Sequence, residues 1–344
     1  MHWRLWILPA ILLLAGCSSP DDSTPSAEAD SIQGAEVTPQ PLPLAAPLDT
    51  PAVELSGLTW HGDTIVVLPQ YPTQAAGASR VYGFSRTTLA QAITDSATAP
   101  ITPISFPFQA AGLREHMAAY QGCEAIAFAG DRVYVVTEGK DEGPGMQGKV
   151  IRGRVASGPR TIRVRDVKGR ALPQQASIPN ISYEALTTRG DTAIALFEAN
   201  GARVNETPRA YRFGPNLQSL GSIPFPTLEY RLTDATAIDA QNRFWVINYF
   251  YPKDRDLLHP APDTLARRHG TGRTHRTSDV VERLVEYRYT PHGIRRTDTP
   301  PIWLELGAEP RNWEGIARFG DGFLLVTDTF PSTMLAYVPG STAE

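Results

Sequence analysis

Cysteine is scarce in this sequence of 344 residues, which contains only Cys17 and Cys123. Two cysteines can form one disulfide at most, so the sequence excludes the disulfide frameworks that stabilise small secreted domains. The sequence also lacks an HExxH zinc motif, a GxSxG nucleophile motif and a GxxxxGK[ST] phosphate-binding loop. These absences remove the residue patterns of zinc peptidases, α/β-hydrolases and P-loop nucleotide-binding proteins.

The chain has no excess of basic residues and almost no long apolar runs. Its 32 Lys and Arg residues are outnumbered by 36 Asp and Glu residues, so the formal net charge is −4, which argues against nucleic-acid binding. One long apolar run extends from Ile7 to Leu14, is broken by Pro9 and is too short to span a bilayer. The sequence therefore excludes a polytopic membrane protein. The 42% of hydrophobic residues, with 30 Pro and 28 Gly, predict a globular chain that is rich in turns.

The N-terminal residues have the pattern of an exported bacterial lipoprotein. Arg4 precedes the apolar run, and Leu14-Ala15-Gly16-Cys17 is similar to the box that lipoprotein signal peptidase cleaves. We expect residues 1–16 to be a signal peptide and Cys17 to be acylated, so that several acyl chains anchor the protein to a membrane. Ser18 stands where an Asp would be typical of retention, which predicts sorting to the outer membrane, facing the periplasm or the cell surface.

The segment 17–50 is predicted to be a flexible, lipid-anchored tether that precedes a folded domain at 51–344. It is rich in Ser, Asp, Pro and Ala, and no Lys or Arg occurs between Arg4 and Arg80. Few large apolar side chains are available there to offset the entropy of ordering. With Cys17 lipidated, Cys123 has no partner for a disulfide and is expected to be buried and unreactive.

Five segments share one pattern, in which a polar residue leads a short apolar strand, a turn and a second apolar strand. The turn is Gly-Asp in four of the five copies, and Gly-Asp can adopt the positive φ angles that two-residue hairpin turns require. Another polar residue follows fourteen positions after each leading residue, so each hairpin should bring the two to the same end. The leading residues are Ser56, Glu124, Glu184, Asp234 and Glu314, and their partners are Gln70, Glu138, Glu198, Asn248 and Asp328.

The spacing of these hairpins predicts an all-β fold, a β-propeller of four-stranded blades. Successive leading residues are 50 to 80 positions apart, which leaves room for a hairpin and two further strands. Third strands are expected at RVYGFS, KVIRGRV, RAYRFG, RLVEYRY and MLAYVP, and fourth strands at PISFPF, TIRVRDV, LGSIPF and PIWLEL. Five blades are predicted, with six as the alternative count and a β-sandwich as the alternative fold. The last blade would take its fourth strand from the segment near Ala52–Glu54, and a long loop is expected at 251–280.

The leading residues and their partners are expected to converge on the propeller axis, because the first strand of each blade lines the central channel. Seven of these ten residues are carboxylates, and crowding of like charges raises their pKa values unless a cation compensates. Oxygen donors without His or Cys favour Ca²⁺ over zinc. The predicted calcium ligands are Glu124, Glu184, Asp234 and Glu314, with Ser56, Asn248 and Asp328 as further candidates. The alternative is that these carboxylates bond backbone amides of neighbouring blades or pair with Arg side chains.

The loop at 251–280 carries a cluster of basic side chains that is a candidate anion-binding site, because Arg donates bidentate hydrogen bonds to anions. The alternative is a solvated loop without a ligand. Three tryptophans, Trp245, Trp303 and Trp313, fall in strand patterns and are expected to pack within blades. The basic cluster consists of Arg267, Arg268, His269, Arg273, His275 and Arg276.

The segments that begin at Leu55, Tyr183 and Trp313, each followed by a Gly-Asp hairpin, resemble two exported bacterial propeller families. These are the SdiA-regulated proteins and the "esterase-like activity of phytase" domains, and the resemblance covers roughly residues 52–340. More distantly, the carboxylate-lined channel resembles that of the calcium-activated nucleotidases (apyrases) and of the gluconolactonase and paraoxonase propellers. The latter hold a catalytic Ca²⁺ with Glu, Asn and Asp. This chain departs from their pattern, because Asp234 and Asn248 belong to one hairpin, and no catalytic residue carries over.

Three functions are consistent with these features. The first is a lipid-anchored envelope propeller that binds a small molecule, a glycan or a protein at its top face, around a calcium ion. The second is a calcium-dependent hydrolase of phosphoesters, esters or lactones, with Glu138 or Glu198 as the base. The third is a structural partner in a larger envelope assembly. The sequence contains no recognisable nucleophile–base pair, which favours the binding protein over the enzyme.

Overall fold

The computed structural model describes residues 34–50, 53–72, 79–95, 99–117, 119–140, 145–156 and 160–340. The predicted signal peptide, Cys17 and the first part of the predicted tether lie outside these residues. Within the described ranges, no helix combines the length and the apolar character needed to cross a membrane.

Strands make up five groups, and each group begins with one of the predicted hairpins. The first group is β3 (Leu55–His61), β4 (Thr64–Pro69), β5 (Arg80–Ser85) and β6 (Ile104–Gln109), and the second is β7 (Tyr120–Ala129), β8 (Arg132–Lys140), β9 (Met146–Ala156) and β10 (Thr161–Ala171). The third is β11 (Ala185–Arg189), β12 (Thr192–Leu196), β13 (Arg209–Phe213) and β14 (Ser219–Pro224). The fourth is β15 (Arg231–Ala235), β16 (Arg243–Phe250), β17 (Val281–Thr290) and β19 (Ile302–Leu304), with the short β18 (Gly293–Arg296) also paired to β17. The fifth is β20 (Trp313–Phe319), β21 (Gly322–Thr327), β22 (Leu335–Val338) and β2 (Gln40–Leu42).

The first strands of the five groups contact one another in a closed cycle. Strand β3 contacts β7, β7 contacts β11, β11 contacts β15, β15 contacts β20, and β20 contacts β3. This radial arrangement of antiparallel sheets is the predicted β-propeller. Strands β6 and β10 pair in parallel, so the first two groups form one continuous eight-stranded sheet. The count of five blades therefore stays a prediction.

Apolar side chains fill the spaces between consecutive groups. One cluster joins Ile65 and Phe84 of the first group to Leu324 of the fifth, and four similar clusters lie around the ring. The predicted packing role of the three tryptophans is confirmed, because all of them are buried in these clusters. The thiol of Cys123 is also buried, as predicted, and burial raises its pKa to about 12, which suppresses the reactive thiolate.

The predicted turn chemistry is also present. The glycine of each Gly-Asp turn has a φ angle between 55° and 60°, a region that costs little for a residue without a Cβ. The fourth hairpin lacks Gly-Asp, and Asn242, with a φ of 61°, takes the left-handed position there.

The N-terminal boundary of the fold differs from the prediction. Strand β1 (Glu36–Val37) pairs in parallel with β19, and β2 pairs antiparallel with β22, so part of the predicted tether 17–50 belongs to the sheets. The fourth strand of the last group is therefore Gln40–Leu42 rather than the segment near Ala52–Glu54. The physical reason is that an outer strand needs few apolar side chains: Leu42 and Leu48 are buried, and backbone hydrogen bonds supply the rest. Pro41 is tolerated because an edge strand does not use all of its N–H groups.

The segment 251–280 lies between β16 and β17, where a long loop is predicted, and is largely helical. It contains 3₁₀ turns at Pro252–Asp254 and Thr274–Thr277 and the short helices α2 (Arg255–Leu258) and α3 (Thr264–His269). The side chains of Leu258 and Leu265 are buried and attach the segment to the core. A further helix, α1 (Arg86–Thr94), follows β5 and is capped by Ser85, whose Oγ accepts a hydrogen bond from the amide of Thr88.

Candidate functional site

Register shifts at the starts of the hairpins place the leading residues. Leu55 pairs with Pro69 but Gly57 pairs with Leu68, so that Ser56 is an additional residue on its strand. The same irregularity occurs around Glu124, Asp234 and Glu314, whereas strand β11 begins only after Glu184. A β-bulge turns the side chain of the additional residue away from the regular alternation. This recurrent bulge explains how leading residues from different groups are directed to a common place.

Five carboxyl groups lie close to one another at that place, and one guanidinium group pairs with three of them. Arg231, at the start of β15, donates from Nη2 to Glu184 Oε1 at 3.2 Å and from Nε to Glu198 Oε1, and its Nη2 lies 3.7 Å from Glu314 Oε1. Arg231 is 16% exposed, Glu184 and Glu314 are each 11% exposed, and Glu198 is fully buried. The set of Glu124, Glu138, Glu184, Glu198 and Glu314 with Arg231 is called the axial carboxyl cluster below.

Burial and mutual repulsion raise the pKa values of these carboxyl groups. Burial raises the pKa of Glu184 to about 8, even though Arg231 lowers it, and the neighbouring Glu314 adds to the increase. Burial and the charge of Glu198 raise the pKa of Glu138 to about 7. The pKa values of Glu124, Glu198 and Glu314 are also well above the usual range, with burial as the main cause. Burial lowers the pKa of Arg231, but the three carboxyl groups that it contacts raise that pKa by more than burial lowers it. Arg231 therefore stays charged.

Glu124 and Glu138 form the part of the cluster that Arg231 does not reach. Within the described ranges, neither carboxyl lies within ion-pair distance of an Arg, Lys or His side chain. Gln70 Nε2 donates a hydrogen bond of 3.3 Å to Glu124 Oε1. Gln70 is uncharged, so this bond does not neutralise a negative charge on Glu124. Burial is the largest cause of the raised pKa of Glu124, and the charges of Glu138, Glu184 and Glu314 raise this pKa further. This side of the cluster therefore lacks a basic partner in contact, and its carboxyl groups hold protons at pH values at which an exposed glutamate is ionised.

Other predicted ligands act in structural bonds, which join different groups for Ser56 and Asp234 and lie within one group for Asn248 and Asp328. Ser56 Oγ donates to the carbonyl of Cys123 at 2.5 Å, and Asp234 Oδ2 accepts from the amide of Ile316 at 2.8 Å. Asn248 Nδ2 donates to the carbonyl of Arg231, and its Oδ1 accepts from Arg283. Asp328 accepts from Asn312 Nδ2 at 2.7 Å and from the amide of Phe330. The contact of Asp234 is the bond to a neighbouring group's backbone amide that the alternative described, and Ser56 makes a comparable bond to a neighbouring group's carbonyl.

A cation among the predicted ligands would meet a donor set that is partly occupied. Arg231 already fills the position between Glu184 and Glu314, and backbone amides engage Asp234. In the part of the chain that the structure describes, no group of three or more His, Cys, Asp and Glu side chains is arranged to hold a metal ion. The remaining oxygen donors, Glu124 and Glu138, have the chemistry that a hard cation such as Ca²⁺ prefers.

The predicted basic cluster is dispersed across segment 251–280. Arg268 pairs with Asp298 at 2.8 Å, Arg273 with Glu305 at 2.5 Å, and His275 Nδ1 lies 3.1 Å from Glu36 Oε1. Arg267 and Arg276 are exposed, and His269 is half-buried. Arg273 and His275 both lie beside Glu36, so three of the six basic side chains pair with acidic residues, and an anion site in this segment stays a prediction.

Sequence reasoning missed two contributors to the site. Arg231 lies three positions before Asp234 and so falls outside the hairpin pattern, which begins at Asp234. A ring of like charges nevertheless implies that a compensating cation is present. Asp254, in the 3₁₀ turn after β16, has a pKa that burial raises and Arg231 lowers, so the start of segment 251–280 lies beside the cluster. The sequence did contain a signal for Arg231, because an Arg close to a leading carboxylate such as Asp234 can supply the positive charge that a ring of carboxylates requires.

No protein-family model matches the chain, and no curated protein matches its sequence. Among solved structures, the catalytic domain of the Coprinopsis cinerea GH62 α-L-arabinofuranosidase is 10% identical, covers 90% of this chain and 98% of its own, and has a TM-score of 0.47. A GH43 α-L-arabinofuranosidase from Clostridium thermocellum is 10% identical over 80% of this chain and 81% of its own, with a TM-score of 0.44. A GH130 family protein is 11% identical over 90% and 94% of the two chains, with a TM-score of 0.45. TM-scores below 0.5 at such identities carry no argument about what this chain does.

Proposed function

We propose that the protein is a lipid-anchored envelope propeller that binds a ligand or partner at its axial carboxyl cluster, with Ca²⁺ as the bridging cation. The observation that supports this function is the excess of carboxyl groups, because five are buried together and Arg231 forms ion pairs with only three of them, Glu184, Glu198 and Glu314. The anchor at Cys17 and the outer-membrane location are part of the proposal and rest on the N-terminal sequence.

This excess of buried carboxyl groups is costly in free energy unless protons or a cation neutralise them. A buried carboxylate without a partner loses hydration that the protein must replace, and here the raised pKa values express that penalty. Glu124 and Glu138 would hold the Ca²⁺, and the ion would supply the positive charge that this side of the cluster lacks. Partial exposure of Glu184 and Glu314 leaves a path by which a ligand reaches the cluster.

Linkage of folding to calcium tests this proposal. Metal-free full-length protein should melt several degrees higher with Ca²⁺ than with EDTA, since a ligand at a hundredfold excess over its dissociation constant adds about 2.7 kcal/mol to the free energy of unfolding. Glu124→Gln should reduce this response, whereas Glu309→Gln, an exposed residue outside the cluster, should not. Equal melting temperatures with Ca²⁺ and EDTA in the wild-type protein would contradict the calcium part of the proposal.

One observation supports the alternative of a calcium-dependent hydrolase. The pKa of Glu138, raised to about 7 by burial and by Glu198, is that of an effective general base at neutral pH. Glu198, the other predicted base, is fully buried and bonded to Arg231, which removes it from contact with a substrate. Hydrolysis of chromogenic phosphate, ester or lactone substrates that requires Ca²⁺ and is lost in a Glu138→Gln protein that still binds Ca²⁺ would support the enzyme. No turnover by a protein that binds Ca²⁺ would support the binding protein.

A further inference from the structure

A cavity of about 450 Å³ lies between segment 251–280 and the fourth group of strands, and its wall is aromatic. Its volume is within the range of pockets that take small organic molecules. The ring centroids of Tyr230 and Phe250 are 4.7 Å apart, and Tyr230 is partly exposed whereas Phe250 is buried. Its lining includes Tyr230, Phe250, Trp303, Arg203, Arg255 and Asp263.

A buried guanidinium with an unused hydrogen-bond donor lies behind this wall. Arg283 is completely buried, donates from Nε to Asn248 at 2.8 Å and from Nη1 to Asp263 at 2.6 Å, and has no partner for Nη2 among the described residues. Its guanidinium carbon lies 5.0 Å from the ring centroid of Trp303 and 5.6 Å from that of Tyr230. Three of the residues that contact Arg283 thus also line the cavity. Arg283 itself does not line the cavity, but it holds Asp263 and packs on the rings of Tyr230 and Trp303, so it fixes part of the cavity wall.

The backbone of Tyr230 supports the same site. Tyr230 has a φ angle of 74°, in a region that bulky residues seldom adopt. Such a conformation costs free energy and persists where the surrounding contacts enforce it, which is frequent at binding sites. Here it holds the Tyr230 ring against both Phe250 and Arg283.

The charges that line the cavity leave one positive charge without a partner. Asp263 is neutralised by Arg283, and Arg255 pairs with Asp279 at 3.2 Å. Arg203 donates to the carbonyl of Pro260 at 3.4 Å and forms no ion pair with any described residue. An anion is therefore favoured at the rim beside Arg203.

We propose that this cavity binds a small organic anion with a planar apolar body, whose anionic group pairs with Arg203 and whose ring packs on Tyr230. The site is separate from the axial carboxyl cluster and does not depend on the function proposed for that cluster.

Benzoate, with benzamide as its uncharged analogue, tests the proposal by calorimetric titration of the full-length protein. We expect saturable binding of benzoate with a dissociation constant on the order of 1 mM, as befits a ligand of this size. Arg203→Gln should weaken benzoate binding about tenfold and leave benzamide binding unchanged. Ala266→Trp, which fills the cavity from α3, should abolish binding of both. Arg288→Gln, which removes an exposed positive charge on β17, is the matched control and should bind as the wild type does.

Two results would overturn the proposal. One is the absence of saturable benzoate binding by the wild-type protein. The other is benzoate binding that is unchanged in Arg203→Gln, a variant of an exposed side chain that should fold normally even where Ala266→Trp does not.

Discussion

Arg231 Nη2 donates to both carboxyl oxygens of Glu184, at 3.2 and 3.4 Å, although the two residues belong to different strand groups. The same guanidinium also contacts Glu198 and Glu314, so that one side chain joins the third, fourth and fifth groups at the axis. Buried ion pairs add little net stability compared with apolar packing, but removal of one partner is strongly destabilising. Arg231 is therefore an internal counter-ion on which the remaining carboxylates depend.

Replacement of Arg231 should destabilise the protein in a manner that depends on pH. We expect Arg231→Met to lower the free energy of unfolding by about 3–5 kcal/mol at pH 8.5, because ionised carboxylates are left buried without a counter-ion. The loss should be smaller at pH 6, where Glu184, with a pKa of about 8, is protonated. Urea denaturation at the two pH values measures this. Arg288→Met, at an exposed position, should change the free energy by less than about 0.5 kcal/mol at both.

The stability of the wild-type protein should decrease from pH 5 to pH 8. Glu138 and Glu184 have folded-state pKa values of about 7 and about 8, above the ordinary value of 4.5, so the folded state binds more protons than the unfolded state in this interval. Raising the pH through these values therefore removes stability, and we expect a loss of roughly 2–4 kcal/mol, less than the sum for independent groups because the two are coupled. Denaturant titrations across this interval measure the slope.

Substitution of the titrating groups provides the control for this pH dependence. Glu138→Gln and Glu184→Gln should each make the decrease between pH 5 and pH 8 smaller, since glutamine does not ionise. Glu309→Gln removes an exposed carboxylate and should leave the slope unchanged. A wild-type stability that rises over this interval would contradict the assignment of raised pKa values to the axial carboxyl cluster.

The hairpins were predictable from sequence because strand alternation, Gly-Asp turns and a constant register all act locally. The same reasoning correctly gave the third and fourth strands of the first four groups. The partner of each carboxylate was not predictable, because the choice between Arg231, a backbone amide and a cation depends on distances of a few ångströms between different groups. Strands β1 and β2 were missed for a different reason. Their stability comes from backbone pairing with β19 and β22, which leaves almost no signature in composition.

Leu48 offers a direct test of that corrected boundary. It is completely buried in the cluster that joins the first and fifth groups, although it lies within the predicted tether. Leu48→Ala should lower the free energy of unfolding by about 2–5 kcal/mol, through lost apolar contact and the cavity left behind. Leu220→Ala, at a position 42% exposed, is the matched control and should cost less than about 0.5 kcal/mol. A Leu48→Ala variant as stable as the control would restore the interpretation of this segment as a tether.

The last prediction concerns the membrane anchor at Cys17, which lies outside the described residues. Cys17→Ser removes the thiol that lipoprotein maturation would acylate, so the precursor should stay uncleaved and should incorporate no labelled palmitate in cells. Cys123→Ser is the matched control: that thiol is completely buried, and the variant should be labelled as strongly as the wild type. Ser18→Asp should leave labelling intact and move the protein from the outer to the inner membrane on fractionation, because the residue after the lipidated cysteine sets the sorting. Labelling of the Cys17→Ser protein would show that the acyl chains are attached to a residue other than Cys17. Labelled Ser18→Asp protein that still fractionates with the outer membrane would contradict only the sorting rule, and would leave the anchor in place.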